Sequence, residues 1–184
     1  LNREKFTYNI NADPLYNQYR EQYVNNGKKA MLDTIANASA WQWWTAVSLG
    51  EDVPIQLLPM KDSSQESVKY DGIISPTKMF WTTANYSFFI RPGMKRIDVK
   101  PQGKKLTDLE AATSLMVSSY TDGNEVVTVI INYTDKDEPM ELKLDKAKKG
   151  KVYVTSMDKN LEYAGEQGLK KLVVPARSVV TVVI

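Results

Sequence analysis

The chain has 184 residues with a net charge of +2, and it contains neither Cys nor His. That length admits one domain, or one domain plus part of another, and a 42% apolar share is enough to fill a core. The composition excludes disulfides, thiolate nucleophiles, imidazole bases, Ser-His triads and Cys- or His-bound metals, so only carboxylate, Lys or Tyr chemistry is left, with no cofactor and no metal expected.

The chain opens on Leu1 without an apolar leader. We expect a leader already removed, or a start within a longer protein. No apolar run approaches membrane-spanning length, so no membrane segment is expected. Residues 1–12 show no periodicity. Asp13-Pro14 reads as a cap followed by proline at the first helical position. Tyr16, Tyr19, Tyr23, Val24, Met31 and Ile35 continue at helical spacing, which predicts a helix over 14–36, broken near Asn25-Asn26-Gly27.

Residues 38–47 are apolar, aromatic and free of charge, as in a strand buried on both faces. Residues 48–74 read as a long loop with Pro54, Pro59 and Asp71-Gly72. Ser75-Pro76 predicts a second helix whose packed face carries Phe80, Ala84 and Phe88, ended by Arg91-Pro92-Gly93.

After Gly93 the period changes to two. Strands are predicted over 96–99, 115–120, 125–133, 140–144, 151–156 and 173–184, the last interrupted at Pro175. Thr121-Asp122-Gly123-Asn124 is a hairpin signal, and Val127, Val129 and Ile131 share one face. Short strands joined by polar turns read as an antiparallel sandwich. The run from Lys146 to Lys151 reads as a solvated turn. Charges of both signs are interspersed, which excludes a nucleic-acid footprint.

Trp41-Gln42-Trp43-Trp44 is the most informative segment. An indole N–H needs a partner when buried, and adjacent strand residues point to opposite faces. Two readings are open: core packing, or a sugar platform in which Trp44 and Gln42 share the face toward a cavity. The triplets at Asn37, Asn85 and Asn132 fit the N-glycosylation pattern but fall in or beside predicted elements, so chance is the preferred reading.

Ala38-Ser39-Ala40-Trp41-Gln42-Trp43-Trp44, Asp71-Gly72, Ser75-Pro76-Thr77-Lys78, the stretch from Asn85 through Phe89-Ile90-Arg91-Pro92-Gly93, and Arg96-Ile97 together resemble glycoside hydrolase family 30. Pro175-Ala176-Arg177-Ser178-Val179-Val180-Thr181 is similar to the last strand of its side domain. The resemblance covers most of residues 30–184. It implies an α+β chain in which residues 1–92 are the C-terminal portion of a (β/α)8 barrel, with its last strand and helix, and residues 93–184 form the β-sandwich side domain.

The resemblance further implies a retaining glycosidase acting on β-linked polysaccharide such as β-1,6-glucan, β-1,6-galactan or xylan. Such enzymes use two Glu residues with carboxyl groups about 5–5.5 Å apart. No match for either Glu occurs here. Glu4, between Arg3 and Lys5, follows no apolar strand and reads as a surface charge, and Glu51-Asp52 reads as polar loop. No catalytic residue is therefore assigned to the chain, which alone is expected to be inactive. Trp44 and, more weakly, Gln42 are the implied sugar-binding residues. The expected partners are a polysaccharide or oligosaccharide and the remaining barrel of the same protein, and the expected location is secreted or within the cell envelope or periplasm. The alternative is a non-catalytic β-sandwich module that binds carbohydrate or acts as a scaffold.

Overall fold

The structure, a computed structural model, describes residues 45–49, 53–59, 72–100, 102, 110, 113–144 and 146–184. The predicted helix over 14–36 and the Trp-rich segment lie outside the described residues. The described chain is α+β, with mostly antiparallel strands and one α-helix among the described residues.

It starts with a three-stranded sheet in the order β1 (Val47–Ser48), β2 (Ile55–Pro59), β3 (Gly72–Pro76). β1 runs parallel to β2, and β2 is antiparallel to β3. Part of the segment predicted as loop is therefore strand. Pro59, which suggested a loop, closes β2, and Pro76, read as the first residue of the helix, closes β3. Proline is tolerated there because it cannot donate to a continuing ladder.

Helix α1 (Lys78–Ser87) begins two residues later than the Ser75-Pro76 signal, with Thr77 as its first cap residue. The Thr77 side chain does not cap the helix. Its Oγ1 donates to Val53 O at 2.6 Å, while its backbone N–H donates to Pro54 O at 2.9 Å. The expected Phe80, Ala84 and Phe88 face also needs correction. Phe88 is 67% exposed, and the buried residues of α1 are Met79, Thr82, Ala84 and Asn85. The helix packs through a partly polar face because what it meets is partly polar, as set out below.

The sandwich follows. Its large sheet has six antiparallel strands in the order β4 (Lys95–Ile97), β5 (Leu115–Thr121), β6 (Val126–Asn132), β11 (Ser178–Val183), β8 (Lys149–Thr155), β9 (Glu162–Gly168). A second sheet pairs β7 (Glu138–Met140) with β10 (Leu172–Val174). The predicted hairpin joins β5 to β6. The Asp122 carboxylate accepts from the backbone N–H groups of Asn124 and Glu125 at 2.9 and 3.0 Å, and these bonds hold it below the usual carboxylate range. The predicted interruption at Pro175 is a change of sheet, since β10 lies in the small sheet and β11 in the large one. Buried Asn132 holds that corner, its Nδ2 donating to the carbonyls of Val174 and Pro175 at 3.0 Å each and to Lys136 O at 2.8 Å.

Both faces of the large sheet are covered. Ile130, Val152, Val154, Val180 and Val182 pack against Leu169, Leu172 and Val174 beneath the small sheet. Val127, Val129 and Ile131 are fully buried as expected, but their face is the other one. With Met116 and Val179 it meets Tyr86, Phe89, Ile90 and Met94 from α1 and the turn after it.

Strand β9 was absent from the sequence reading, and β8 starts within the basic run read as a turn. The lysines at 146, 148, 149 and 151 remain exposed. Gly150 between them is buried because a Cβ there would stand 2.7 Å from Val182 Cγ1 and 3.1 Å from Val183 O. Gly150→Ala is expected to cost about 1–3 kcal/mol by overpacking. The denaturant midpoint reads this, and an unchanged midpoint would show that β8 and β11 can separate freely.

Candidate functional site

Trp44 and Gln42 lie outside the described residues, as do Trp41, Trp43, Glu4, Glu51 and Asp52. The structure does give the frame that follows Trp44 directly. The described chain resumes at Thr45, and Ala46 O accepts a hydrogen bond from Ile55 N at 3.0 Å. Val47 and Ser48 then pair with Ile55 and Gln56. The Trp-bearing segment thus leads into a sheet whose other strands return the chain to α1. Val53 is buried at the base, and Thr77 clips it to the start of the helix. Farther out, Val47, Leu58, Ile73 and Ile74 are exposed, Ile74 by 67%. Leu58 and Ile73 pair on one face of this sheet, and Val47 and Ile74 lie on the other.

The second element of the frame joins α1 to the sandwich. Asn85 is fully buried. Its Nδ2 donates to Trp81 O at 2.9 Å and to Thr155 Oγ1 at 2.7 Å. Thr181 Oγ1 donates toward Asn85 O at 2.9 Å and Oδ1 at 3.0 Å. Leu161 N donates to Thr155 Oγ1 at 3.0 Å. The Asn85 side chain therefore ties the helix to β8 and to β11, and Thr155 extends the network to the β8–β9 turn. At the other end of the helix, Lys78 Nζ donates to Lys159 O at 2.9 Å and to Asn160 Oδ1. Partial burial lowers the Lys78 pKa, and nearby Asp158 opposes that shift. Deeper in the interface, the enclosed Tyr86 hydroxyl faces Ser118 without a well-formed hydrogen bond. Burial pushes its pKa well up, Tyr120 adds to the rise, and Ser118 opposes it.

A helix register set by hydrogen bonds is more specific than one set by apolar contact, because each donor has one direction to satisfy. These residues were missed in the sequence reading. The available signal was Thr155 and Thr181, hydroxyls within otherwise valine-rich strands. Two glycosylation triplets find their explanation here: Asn85 and Asn132 are both fully buried and hydrogen-bonded, so neither amide can accept a glycan.

Among the described residues, the carboxyls that depart from their ordinary pKa are Asp122, Asp135 and Asp158, and all three are lowered. Hydrogen bonds cause each shift, from backbone N–H groups, from Arg177 and from Ser156 respectively. A general acid working near neutrality needs the opposite shift. None of these three carboxyls is shifted in that direction.

No family model matches the sequence. Among solved structures, the chain is 60% identical to a conserved exported protein from Bacteroides fragilis, with a TM-score of 0.83 over 96% of this chain and 35% of that one. It is 21% identical to a family 30 endoxylanase from Clostridium papyrosolvens C71, with a TM-score of 0.63 over 88% of this chain and 37% of that one. A family 30 subfamily 8 xylanase from Clostridium acetobutylicum gives 19% identity and a TM-score of 0.63, over 88% of this chain and 39% of that one. The chain spans a little over a third of the length of each of these proteins. It has a fold like that of glycoside hydrolase family 30.

Proposed function

We propose that this chain is the C-terminal portion of an exported, retaining glycoside hydrolase that cleaves β-linked polysaccharide. Residues 1–92 complete its barrel, and residues 93–184 are its side domain. The observation that carries this reading is the likeness to family 30 xylanases over 88% of the chain at a TM-score of 0.63. The 60% identity to an exported protein supports the location.

In this reading the acid/base and the nucleophile come from the rest of the protein. The chain contributes Trp44, whose indole stacks on the apolar face of a sugar ring, and Gln42, which bonds its hydroxyls. Barrel enzymes place their sites at the C-terminal ends of the strands, and the Trp-bearing segment ends where β1 begins. The Asn85 joint then serves catalysis indirectly, by holding the last helix of the barrel against a rigid sandwich.

The test compares the complete protein with the chain alone on β-1,6-glucan, β-1,6-galactan and xylan. The complete protein should turn over one of them, and the chain alone none. In the complete protein, Trp44→Ala should lower kcat/KM about thirtyfold, from the loss of about 2 kcal/mol of apolar burial at the transition state. Trp43→Ala should instead lower stability by about 3–5 kcal/mol. Turnover by the chain alone that disappears in Glu4→Gln or Glu51→Gln would overturn the proposal. The reverse pattern at Trp43 and Trp44 would exchange their two faces. A complete protein that retains polysaccharide and cleaves none would support a binding module instead.

A further inference from the structure

Four aromatic rings form a continuous row from the C-terminal end of α1 to β9. Phe88 and Phe89 lie 5.1 Å apart between centroids, Phe89 and Tyr153 4.6 Å, and Tyr153 and Tyr163 5.2 Å. The two inner rings are half-buried, whereas Phe88 is 67% and Tyr163 53% exposed. The inner rings therefore anchor the row in the helix–sandwich interface, and the outer rings carry it into solvent.

The placement of Tyr163 depends on a break in strand register. Lys151 pairs with Glu166, and continuing that register would set Ala164 opposite Tyr153. The register shifts between Lys151 and Tyr153, so that Tyr163 faces Tyr153. Gly165 supplies the irregularity with φ +87°. A β-bulge of this kind re-aims the side chains beyond it. Here it turns Ala164 toward the sandwich core and puts an aromatic ring at the end of the row.

We propose that this row is a second sugar-binding surface, which holds a neutral polysaccharide chain at a distance from the cleavage site. The proposal rests on the glycoside hydrolase reading above. The row is wholly aromatic, and aromatic faces suit the apolar faces of pyranose rings, with the two tyrosine hydroxyls as hydrogen-bonding groups. The two carboxylates of β9 nearest the row are each paired, Glu162 with Lys159 at 3.5 Å and Glu166 with Lys149 at 3.6 Å, which suits an uncharged, hydroxyl-rich polymer better than a cationic one. Phe88 stands at the far end of α1 from the Thr77 clip. The ten-residue helix is about 15 Å long. Successive rings of the row lie 4.6–5.2 Å apart, so only a ligand several sugars long touches all four, and the surface selects polymer over short oligosaccharide.

The experiment uses the complete protein and the double variant Phe88→Ala/Tyr163→Ala. Retention on insoluble xylan, β-1,6-glucan and β-1,6-galactan is measured beside turnover of a short oligosaccharide and the Tm. Retention should fall about tenfold with the loss of two stacking contacts, while oligosaccharide kcat/KM stays unchanged. Phe88→Leu/Tyr163→Leu keeps apolar bulk without a ring face and should lose retention equally; Tyr163→Phe should keep it. Unchanged retention in the double variant, full retention in the Leu pair, or wild-type protein that binds none of the three glycans would overturn the proposal. So would a fall in Tm with retention unchanged per folded molecule, which would mean that the rest of the protein covers the row. Wild-type protein that binds through the row but cleaves no glycan would sink the hydrolase reading and leave the surface standing.

Discussion

Ile131→Asp is expected to abolish cooperative unfolding. Ile131 is fully buried in β6, paired with Met116 of β5 on one side and Val179 of β11 on the other. It lies in the cluster that meets Phe89, Ile90 and Met94. An aspartate there has no cation among the cluster residues to pair with, and an uncompensated buried charge costs several kcal/mol. That is comparable to the whole stability of a small domain, about 5–15 kcal/mol. Ile131→Val is the control, at about 0.5–1.5 kcal/mol. Burial would raise the folded-state pKa of the introduced carboxyl, so its penalty is smallest below the unfolded value of about 3.9, grows as pH rises from there and levels off above the folded value. Urea titration followed by far-ultraviolet circular dichroism gives the answer. A transition equal to that of the parent would show that this face of β6 is not core.

The second large effect is expected at Asn85. Asn85→Leu keeps the volume and removes the amide. It removes the side-chain acceptor of Thr181 Oγ1 and the amide donor to Trp81 O and Thr155 Oγ1 in a buried interface, while Thr181 Oγ1 keeps Asn85 O as an acceptor. Unsatisfied buried groups cost about 1–3 kcal/mol each, so a total of about 2–4 kcal/mol is expected once remaining bonds such as Leu161 N to Thr155 Oγ1 are allowed for. The informative comparison is the triple variant Asn85→Leu/Thr155→Val/Thr181→Val. Removing both sides of a buried hydrogen bond can be nearly neutral, so the triple variant should recover much of the loss. It should also loosen the helix register, seen as faster amide exchange across α1. If the single and triple variants are equally unstable, apolar packing holds the helix and the hydrogen-bond network does not.

The sequence by itself determined the class of the back half and its hairpin. Asp122-Gly123 between alternating strands admits few structures other than the β5–β6 turn, because the carboxylate satisfies the turn's own N–H groups. It also carried the family resemblance, which agrees with the fold. Local rules did not show which face of β6 looks inward. Val127 through Asn132 are all buried, and a strand covered on both faces has no polar alternation to reveal its orientation. They also did not show β9, since Glu162–Gly168 is polar and pairs with β8 through backbone groups that every residue carries. Strand β2 was hidden by Pro54 and Pro59, and β3 by an Asp71-Gly72 read as loop and a Ser75-Pro76 read as a helix start. The Asn85 joint and the Phe89–Tyr153 contact of the aromatic row join residues more than 60 positions apart. Contacts at that separation depend on how the helix and sheet pack and on a one-residue register shift, so only the tertiary structure decided them.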